Sequence, residues 1–543
     1  CQSLILIYPI PSFLHEFLIY LSGEKTLRPT FMQKLLFAFA AACGCLGAAA
    51  QPGTFSNPVI PGDLPDPSVI RVGETYYACG TSSEWAPFYP LFTSRDLVNW
   101  TQAGHLFEEQ PEWTRSSFWA PELFHRDGRT YAYYTARRKS DGTSYIGVAT
   151  ADRPEGPYTD HGPVVALGTE AIDAFVLEDD GKLYISWKAY GLDRRPIELL
   201  ACRLSDDGLR LEGEPFSLLR DDARRGLEGQ HWMKLGDYYY LIYAVNGCCG
   251  PGSDYAVSVA RSKNLRGPYE KYAGNPILHG GEGVQSCGHG TVVTTPDGRM
   301  FFLCHAYLSG ENFFLGRQPI LSRIELGEDG WLHFEGGETA LLRRPLPLPG
   351  TAQEPVKDFA DDFSSPRIRP EWSWNYPYAV PDVEQADGRL CLSGRAKEGV
   401  HTGVAFCLRA LTTDYTLETA CLARPAGWSG LTLYGDDRNL LVWGLQDGRL
   451  AVRLVRDGRE ELLGGPLAVP ADVPVYLRME VRGGGPAAFA YSLDGSSWQQ
   501  AGTRPVEPGE LLQWDRVARP GLYYEGPETS FAEFEYVRMN RVR

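Results

Sequence analysis

The feature that most constrains the fold is a short motif, Gly-x-x-aromatic, that recurs five times. The copies are Gly73…Tyr76, Gly128…Tyr131, Gly181…Tyr184, Gly236…Tyr239 and Gly298…Phe301. Successive glycines are 55, 53, 55 and 62 residues apart. A repeat of this length is typical of β-propellers and related arrays, in which each unit buries its apolar face only against its neighbours.

Each copy of the motif lies in the same local context, a predicted β-hairpin. An apolar strand, a turn such as Asp180-Gly181-Lys182 and an aromatic strand follow one another, and Asp-Gly suits tight hairpin turns. A second strand pair follows later in each period, for example in residues 91–100 and 256–265. Four strands per period and five periods predict a five-bladed β-propeller, with a β-sandwich of accidental spacing as the alternative.

The end of the repeat marks the domain boundary. With 543 residues the chain exceeds what one hydrophobic core organises. We predict a propeller over 51–342 and an extended linker over 343–358, because a proline-rich chain favours the polyproline II conformation. Short strands with regularly spaced turns over 359–543 predict an antiparallel β-sandwich as an accessory domain.

Residues 1–50 have the pattern of a leader and signal peptide rather than of a folded domain. A basic start at Met32, an apolar run over 35–46 and Ala-Ala-Ala before Gln51 are the features of an exported chain. No segment after residue 60 is long and apolar enough to span a membrane. We therefore expect a secreted or periplasmic protein with no stable membrane insertion.

Cysteine usage argues against a disulfide framework. Nine of the 12 cysteines follow Gln51, an odd number spread over nearly the whole chain. There is no Cys-x-x-Cys pair, so no zinc site is expected. The adjacent pair Cys248-Cys249 either forms a vicinal disulfide or leaves Cys249 to pair elsewhere, and we expect one or two bridges at most.

The charge balance limits the class of partner. The formal net charge is −16, from 52 basic and 68 acidic residues. Binding to nucleic acid rests on phosphate neutralisation by Lys and Arg, so we expect no nucleic-acid partner. A neutral polysaccharide or oligosaccharide suits this charge. The 13 Trp and 29 Tyr residues are explained equally well by stacking on sugar rings and by a β-rich core.

The repeat also predicts where ionisable residues meet. In a propeller the innermost strand of each blade lines the central channel, and its first residues meet at the channel mouth. Counting eight residues, give or take one, back from each repeat glycine gives Asp66, Ala120, Asp173, Glu228 and His289. Three of these are carboxylates, and such crowding is costly unless it serves function. Taken singly, a turn residue, a strand cap or an ion pair with arginine remains the alternative.

Three carboxylates on different blades fit the hydrolysis of a glycosidic bond. That reaction needs a carboxylic acid to protonate the leaving oxygen and a carboxylate on the opposite side, which in the inverting geometry activates water. A third carboxylate nearby raises the pKa of the acid by like-charge repulsion.

The sequence motifs around these positions are similar to those of a known family. They are Asn57-Pro-Val-Ile-Pro-Gly-Asp-Leu-Pro-Asp-Pro-Ser68, Phe118-Trp-Ala-Pro-Glu122, Ile172-Asp-Ala-Phe-Val-Leu-Glu-Asp-Asp-Gly181, Glu228-Gly-Gln-His231, Gly288-His-Gly290 and Gly316-Arg-Gln318. Together they resemble glycoside hydrolase family 43 over the whole propeller. The resemblance implies Asp66 as general base, Glu228 as general acid and Asp173 as a modulator of the acid's pKa. It implies an inverting hydrolase with β-xylosidase or α-L-arabinofuranosidase activity on pentose-containing plant glycans.

The same resemblance suggests roles for four further residues. His289 looks like the axial histidine that holds a calcium or similar cation, directly or through water; no organic cofactor is implied. Arg317 matches an arginine that orients the base and contacts substrate. Trp85 and Trp119 resemble residues that wall the sugar pocket. The alternatives are a histidine hydrogen-bonded to backbone, a structural ion pair and plain packing.

The segment from Asp361 to Asn375 is similar to the concanavalin-like sandwich appended to β-xylosidases and arabinofuranosidases of the family. In those relatives the sandwich packs against the propeller and can close one side of the pocket. Two features depart from the family, Gln230 in place of a frequent Pro and the stretch Cys248-Cys249-Gly250. Both put the substrate in doubt more than the reaction.

Three other functions remain as alternatives. A retaining fructan or sucrose hydrolase has the same architecture but carries an Asn-Asp-Pro-Asn type motif in its first blade, which is absent here. A non-catalytic carbohydrate-binding propeller would keep the fold without turnover. A protein-interaction scaffold is disfavoured by a channel lined with acids and tryptophans.

Overall fold

A computed structural model describes residues 53–189, 196–310, 315–422, 427–471, 473–511 and 516–542. These residues form β-strands and one short 3-10 helix, Pro508–Leu511. None of their helices is long and apolar enough to cross a membrane. The leader and signal peptide predicted over 1–50 lie outside the described residues.

The chain begins with β1 (Thr54–Ser56) and then forms five four-stranded antiparallel sheets, the blades. Blade 1 contains β2 (Ser68–Val72), β3 (Thr75–Cys79), β4 (Phe88–Ser94) and β5 (Trp100–Phe107); blade 2 contains β6 (Thr114–Arg126), β7 (Arg129–Arg138), β8 (Ser144–Ala151) and β9 (Thr159–Val165); blade 3 contains β10 (Ala171–Asp179), β11 (Lys182–Ala189), β12 (Ile197–Leu204) and β13 (Leu211–Asp221); blade 4 contains β14 (Leu227–Leu235), β15 (Tyr238–Val245), β16 (Ala256–Ser262) and β17 (Glu270–Lys271); blade 5 contains β18 (Val284–Thr294), β19 (Met300–Leu308), β20 (Gln318–Leu326) and β21 (Leu332–Phe334). The predicted five-bladed propeller is confirmed.

The repeat glycines form the first hairpin turn of each blade. All five have a positive φ, between 57° and 83°. In blades 2 and 3 the preceding aspartates, Asp127 and Asp180, also have a positive φ, of 51° and 48°. Two successive positive φ angles match the right-handed twist of a hairpin, so the backbone geometry of the turn explains why the motif recurs.

The ring is closed without exchanging a strand between the first and last blades. The backbone N–H of Val69 in blade 1 donates to Oγ1 of Thr291 in blade 5, at 2.8 Å. A separate two-stranded ribbon joins β1 to β22 (Arg343–Pro345). Residues 343–345, which proline content predicted as extended linker, are thus paired with the start of the propeller.

The rest of the chain forms two packed antiparallel sheets, as predicted. The strands are β23 (Phe359–Asp361), β24 (Ser373–Trp374), β25 (Ala379–Ala386), β26 (Arg389–Ala396), β27 (Val404–Cys407), β28 (Tyr415–Leu422), β29 (Trp428–Asp436), β30 (Asn439–Gln446), β31 (Arg449–Arg456), β32 (Arg459–Ala468), β33 (Pro474–Val481), β34 (Ala487–Ser492), β35 (Gln499–Gln500), β36 (Arg519–Glu525) and β37 (Ala532–Arg541). One sheet has the order β25-β26-β37-β28-β33-β34-β35, with β23 beside β37, and the other has the order β24-β27-β36-β29-β30-β31-β32.

A backbone contact joins the sandwich to blade 1 next to the channel mouth. The N–H of Ala86 donates to the carbonyl of Trp374 at 3.0 Å, and the N–H of Trp374 donates back to Ala86 at 2.7 Å. Tyr376 then packs edge-on against Phe88, with ring centroids 4.8 Å apart. The segment after Trp374 is therefore held beside the channel.

Candidate active site

The innermost strand of every blade bends at an equivalent residue with a positive φ. These residues are Asp66 (54°), Ala120 (34°), Asp173 (58°), Gly229 (56°) and His289 (45°). In blade 2, Ser117 has a positive φ of 61° as well. In blades 2 to 5 the strand pairing shifts register at the same place. Positive φ is costly for residues other than glycine, and such strain clusters at functional sites. The bends lie at the channel mouth, where the sequence predicted the ionisable residues to meet.

In blade 4 the bend falls on Gly229 and not on the predicted position, Glu228. A Cβ atom on Gly229 would lie 2.6 Å from Cγ of His289, so only glycine fits between the two strands. Glu228 precedes the bend and pairs in register with Ala244. The repeat count, with its allowance of one residue, could not distinguish the two positions.

A pocket of about 810 Å³ opens at the bends. Six of the seven predicted site residues line it: Asp66, Trp119, Asp173, Glu228, His289 and Arg317. The fold therefore brings together side chains from all five blades that are up to 251 residues apart in sequence.

Trp85, predicted as a wall of the pocket, is not among the lining residues. Its ring packs edge-on against Tyr434 of the sandwich, at a centroid distance of 6.0 Å. The guanidinium carbon of Arg519 lies 4.6 Å from the centre of the same ring. The preceding residue, Glu84, lines the pocket instead.

Asp66 is buried and surrounded by cations and hydrogen-bond donors. Thr81 Oγ1 donates to its Oδ2 at 2.7 Å, and Arg317 donates to its Oδ1 at 3.4 Å. His289 Nδ1 lies 3.4 Å from the same Oδ1. Burial acts to raise the pKa of Asp66, but Arg317, His289 and His305 together outweigh it and hold the pKa well below its usual range. Asp66 is thus kept as a carboxylate.

Asp173 is buried in a less cationic setting. The backbone N–H of Gly229 donates to its Oδ2 at 3.2 Å, and His289 Nδ1 lies 3.9 Å from that oxygen. Burial raises the pKa of Asp173 to about 6; His289 opposes this rise and the charge of Glu228 adds to it. The amide of Gln230 donates to the carbonyl of Asp173 at 2.6 Å. Gln230, noted as a departure from the family, therefore supports the bend at Asp173.

Glu228 lies between two hydrogen-bond donors. Lys188 donates to Oε2 in a close ion pair, and the Tyr255 hydroxyl donates to Oε1 at 2.8 Å. Burial acts to raise the pKa of Glu228, but the Lys188 cation outweighs it, so the pKa is lowered. Without substrate, Lys188 favours the ionised form of Glu228.

Several charged residues of the pocket escaped the sequence analysis, among them Lys188 and Glu170. Lys188 lies on β11 and faces Glu228 from the neighbouring blade. Glu170 lies three residues before Asp173 and is 5% exposed. Burial raises the pKa of the Glu170 carboxyl. Neither occupies the repeat position that marked the other acids, so only spatial proximity identifies them.

The sandwich contributes one side of the pocket. Tyr378, Lys397 and Arg516 are among the lining residues. Arg516 forms an ion pair of 3.0 Å with Glu84 of blade 1, and the Tyr376 hydroxyl donates to the same carboxylate at 3.3 Å. The accessory domain therefore completes the pocket wall.

The pocket wall also contains a vicinal disulfide between Cys248 and Cys249. This settles the alternative that the sequence left open for the adjacent pair. The thiols of Cys79, Cys202, Cys287, Cys304 and Cys407 are free.

A five-bladed propeller whose channel mouth gathers three carboxylates in one pocket is an arrangement that suits the class of the glycoside hydrolases. Residues 55–332 match the model of the glycosyl hydrolases family 43, and the chain belongs to that family. Residues 360–540 match the beta xylosidase C-terminal concanavalin A-like domain. The alternatives of another propeller family and of a scaffold are thereby excluded, and the protein is a glycosidase.

Three proteins illustrate the similarity. Xylosidase/arabinosidase 43B of Humicola insolens is 28% identical over 82% of this chain and 88% of its own. The extracellular exo-α-(1→5)-L-arabinofuranosidase ArbA of Cellvibrio japonicus is 29% identical over 50% of this chain and 85% of its own. The crystal structure of the GH43 BlXynB protein from Bacillus licheniformis superposes with a TM-score of 0.76 at 24% identity, covering 90% of this chain and 100% of that one. This last likeness concerns the fold.

Proposed function

We propose that this protein is an inverting glycosidase of pentose-containing plant glycans, with β-xylosidase or α-L-arabinofuranosidase activity. Asp66 is the general base and Glu228 the general acid. The observation that carries the proposal is the environment of Asp66, a carboxylate kept ionised by Arg317 and His289 in the same pocket as Glu228. A base that stays ionised can take a proton from water while a second carboxyl group serves the leaving oxygen.

The substrate class rests on the relatives. The Humicola and Cellvibrio proteins are named for xylosidase, arabinosidase and arabinofuranosidase activities. The pocket itself suits a hydroxyl-rich ligand, because charged side chains such as Arg115, Arg137 and Glu170 line it together with Trp119. Sugar hydroxyls both donate and accept hydrogen bonds, so they can pair with side chains of either charge.

The first product released should have the anomeric configuration opposite to that of the substrate. Inversion needs the carboxyl groups of Asp66 and Glu228 roughly 6.5–9.5 Å apart, with a water molecule between base and sugar. Proton NMR of the product before mutarotation measures the configuration directly. Aryl xylosides and arabinofuranosides, with xylan, arabinan and arabinoxylan, identify the sugar released. Retention of configuration would refute the pairing of base and acid, and release of no pentose would refute the substrate class.

We assign Asp173 and Lys188 opposite effects on the acid. Lys188 lowers the pKa of Glu228. Repulsion between Asp173 and Glu228 acts on both partners, because an interaction between two charges is reciprocal. The two carboxyls therefore titrate as a pair. The repulsion makes the last proton of the pair leave at higher pH than it would leave Glu228 alone, and this is the proton that Glu228 delivers as acid.

Asp173→Asn and Lys188→Met should move the alkaline limb of the kcat/KM profile in opposite directions. Asp173→Asn removes a negative charge near Glu228, so the acid loses its proton at lower pH and the alkaline limb moves to lower pH. Lys188→Met removes the cation while keeping a similar volume, so the alkaline limb moves to higher pH. The profile of kcat/KM reports the free enzyme. Uniform losses of rate with no shift would show that both residues act only by positioning. Shifts in the same direction would contradict the opposite effects assigned to them.

A calcium ion at His289 remains a prediction. The described residues contain no group of three or more His, Cys, Asp and Glu that could hold a metal ion. His289 Nδ1 faces the carboxylates of Asp66 and Asp173, so Nε2 of the neutral imidazole is the nitrogen left for a cation, whose other ligands would be water. The charge of the bound cation would then take the place of a histidine proton beside the carboxylates.

Prolonged chelation, followed by removal of the chelator, is expected to lower activity while the protein stays folded, and calcium should restore it. Elemental analysis of the untreated protein should find about one equivalent of calcium, and His289→Ala should contain none. Metal-free protein with full activity would contradict the prediction, and His289 would then be a channel histidine that contacts Asp66 and Asp173.

We further propose that the protein is exported. The signal-like pattern that ends before Gln51 and the extracellular description of the Cellvibrio relative support a secreted or periplasmic location.

A further inference from the structure

The vicinal disulfide is the feature of the pocket that the proposed reaction does not use. It is carried by the loop that joins β15 to β16, between Val245 and Ala256. Cys248 and Cys249 are half-buried and line the pocket. The rest of the pocket is lined mostly by charged and polar side chains, including Arg115, Lys188 and Glu170. The disulfide therefore differs in chemistry from most of the other lining residues.

Both ends of this loop are tied to the strand that carries the proposed acid. At the start of the loop, the backbone of Asn246 lies against Gly226, where an added Cβ would be 2.3 Å from its carbonyl oxygen. At the end, the hydroxyl of Tyr255 donates to Glu228 Oε1 at 2.8 Å. The disulfide is thus held on the side of the pocket where Glu228 stands.

The loop is also fixed by hydrogen bonds that do not involve sulfur. Ser253 Oγ bonds to the carbonyls of Gly247 and Cys248, at 2.9 and 3.1 Å. The backbone N–H of Gly250 donates to the Tyr307 hydroxyl at 3.0 Å. These bonds anchor the loop on both sides of the disulfide without involving its sulfur atoms.

A disulfide offers soft, polarizable sulfur and no hydrogen-bond donor. Such a surface suits the C–H face of a sugar ring, as apolar walls with a few placed polar groups suit small ligands generally. The general acid protonates the oxygen of the scissile bond. The sugar that leaves with this oxygen therefore lies next to Glu228, towards the opening of the pocket.

We propose that the Cys248–Cys249 disulfide forms the leaving-group subsite, where it packs against the sugar released on the far side of the scissile bond. This rests on the proposed role of Glu228 as general acid. The stretch Cys248-Cys249-Gly250, which departs from the family pattern, is then explained by recognition of the leaving sugar.

The test compares two substrates of the sugar that the wild type releases, its disaccharide and its glycosyl fluoride. The fluoride leaves the leaving-group subsite empty. In Cys248→Ala/Cys249→Ala and Cys248→Ser/Cys249→Ser, KM for the disaccharide should rise about tenfold, the scale of a lost apolar contact. The KM and kcat for the fluoride should stay within about twofold of wild type. Cys391→Ser, in the sandwich and outside the pocket lining, is the matched control for removal of a cysteine.

Mass spectrometry of the alkylated, unreduced protein should show Cys248 and Cys249 unmodified and two hydrogens lighter than the dithiol. Alkylation of both, or equal changes of KM for disaccharide and fluoride, would overturn the inference. An unchanged KM for the disaccharide in both double variants would overturn it as well. A wild type that hydrolyses neither substrate would instead refute the proposed function, so the two failures are distinguishable.

Discussion

Replacing Glu228 by alanine is expected to lower kcat/KM on unactivated oligosaccharides by about 10³-fold, within the range of general acid catalysis. On a 2,4-dinitrophenyl glycoside the same variant should stay within about tenfold of wild type. Dinitrophenolate leaves without protonation, so the acid is dispensable for that substrate. Steady-state kinetics on the two substrates, measured at one pH, give the comparison.

Two controls accompany this variant. Glu178→Ala removes a partly exposed glutamate of blade 3 that pairs with Arg126 and should leave both rates unchanged. Thermal unfolding checks the fold, because Glu228→Ala takes away the carboxylate that Lys188 and Tyr255 face. Equal losses on both substrates in a folded variant would contradict the role of general acid.

Asp66→Asn is expected to lower kcat by about 10³- to 10⁴-fold on both classes of substrate. Every substrate needs the attacking water to be deprotonated, and an amide cannot accept that proton. Asparagine keeps the size of the side chain, and its carbonyl oxygen can still accept from Thr81 Oγ1 or Arg317. The loss is therefore attributable to basicity.

The same kinetics with the dinitrophenyl glycoside and the oligosaccharide measure this effect. Asp127→Asn, on an exposed hairpin turn of blade 2, is the matched control and should keep full activity. A dinitrophenyl substrate that Asp66→Asn hydrolyses at the wild-type rate would show that the base lies elsewhere.

The sequence was most informative where one backbone geometry repeats. The five hairpin turns need glycine with positive φ at a fixed place, so the turns appear in the sequence as a period. That period predicted the number of blades and placed Asp66, Asp173 and His289 at the bends. It missed by one residue at Gly229, because turn-to-bend distances differ between blades by one or two residues.

The sequence was least informative where contacts join distant segments. Trp85 lies against the sandwich and Glu84 faces the pocket, a choice made by the packing of Tyr434 and Tyr376. Lys188 and Glu170 carry no motif, since they reach the pocket only through the arrangement of neighbouring blades.

The sequence by itself determined the five-bladed propeller, the sandwich and the presence of three carboxylates at the channel mouth, because these follow from local turn geometry and strand periodicity. The tertiary structure alone decided the charge environment of each acid. Arg317 and His289 reach Asp66 from another blade and keep it ionised. Burial makes Asp173 hold its proton to higher pH, and His289 opposes this effect from another blade. Lys188 reaches Glu228 from the neighbouring blade and pairs with it as a cation. Electrostatic interactions depend on distance and burial in space, and neither is encoded in local sequence.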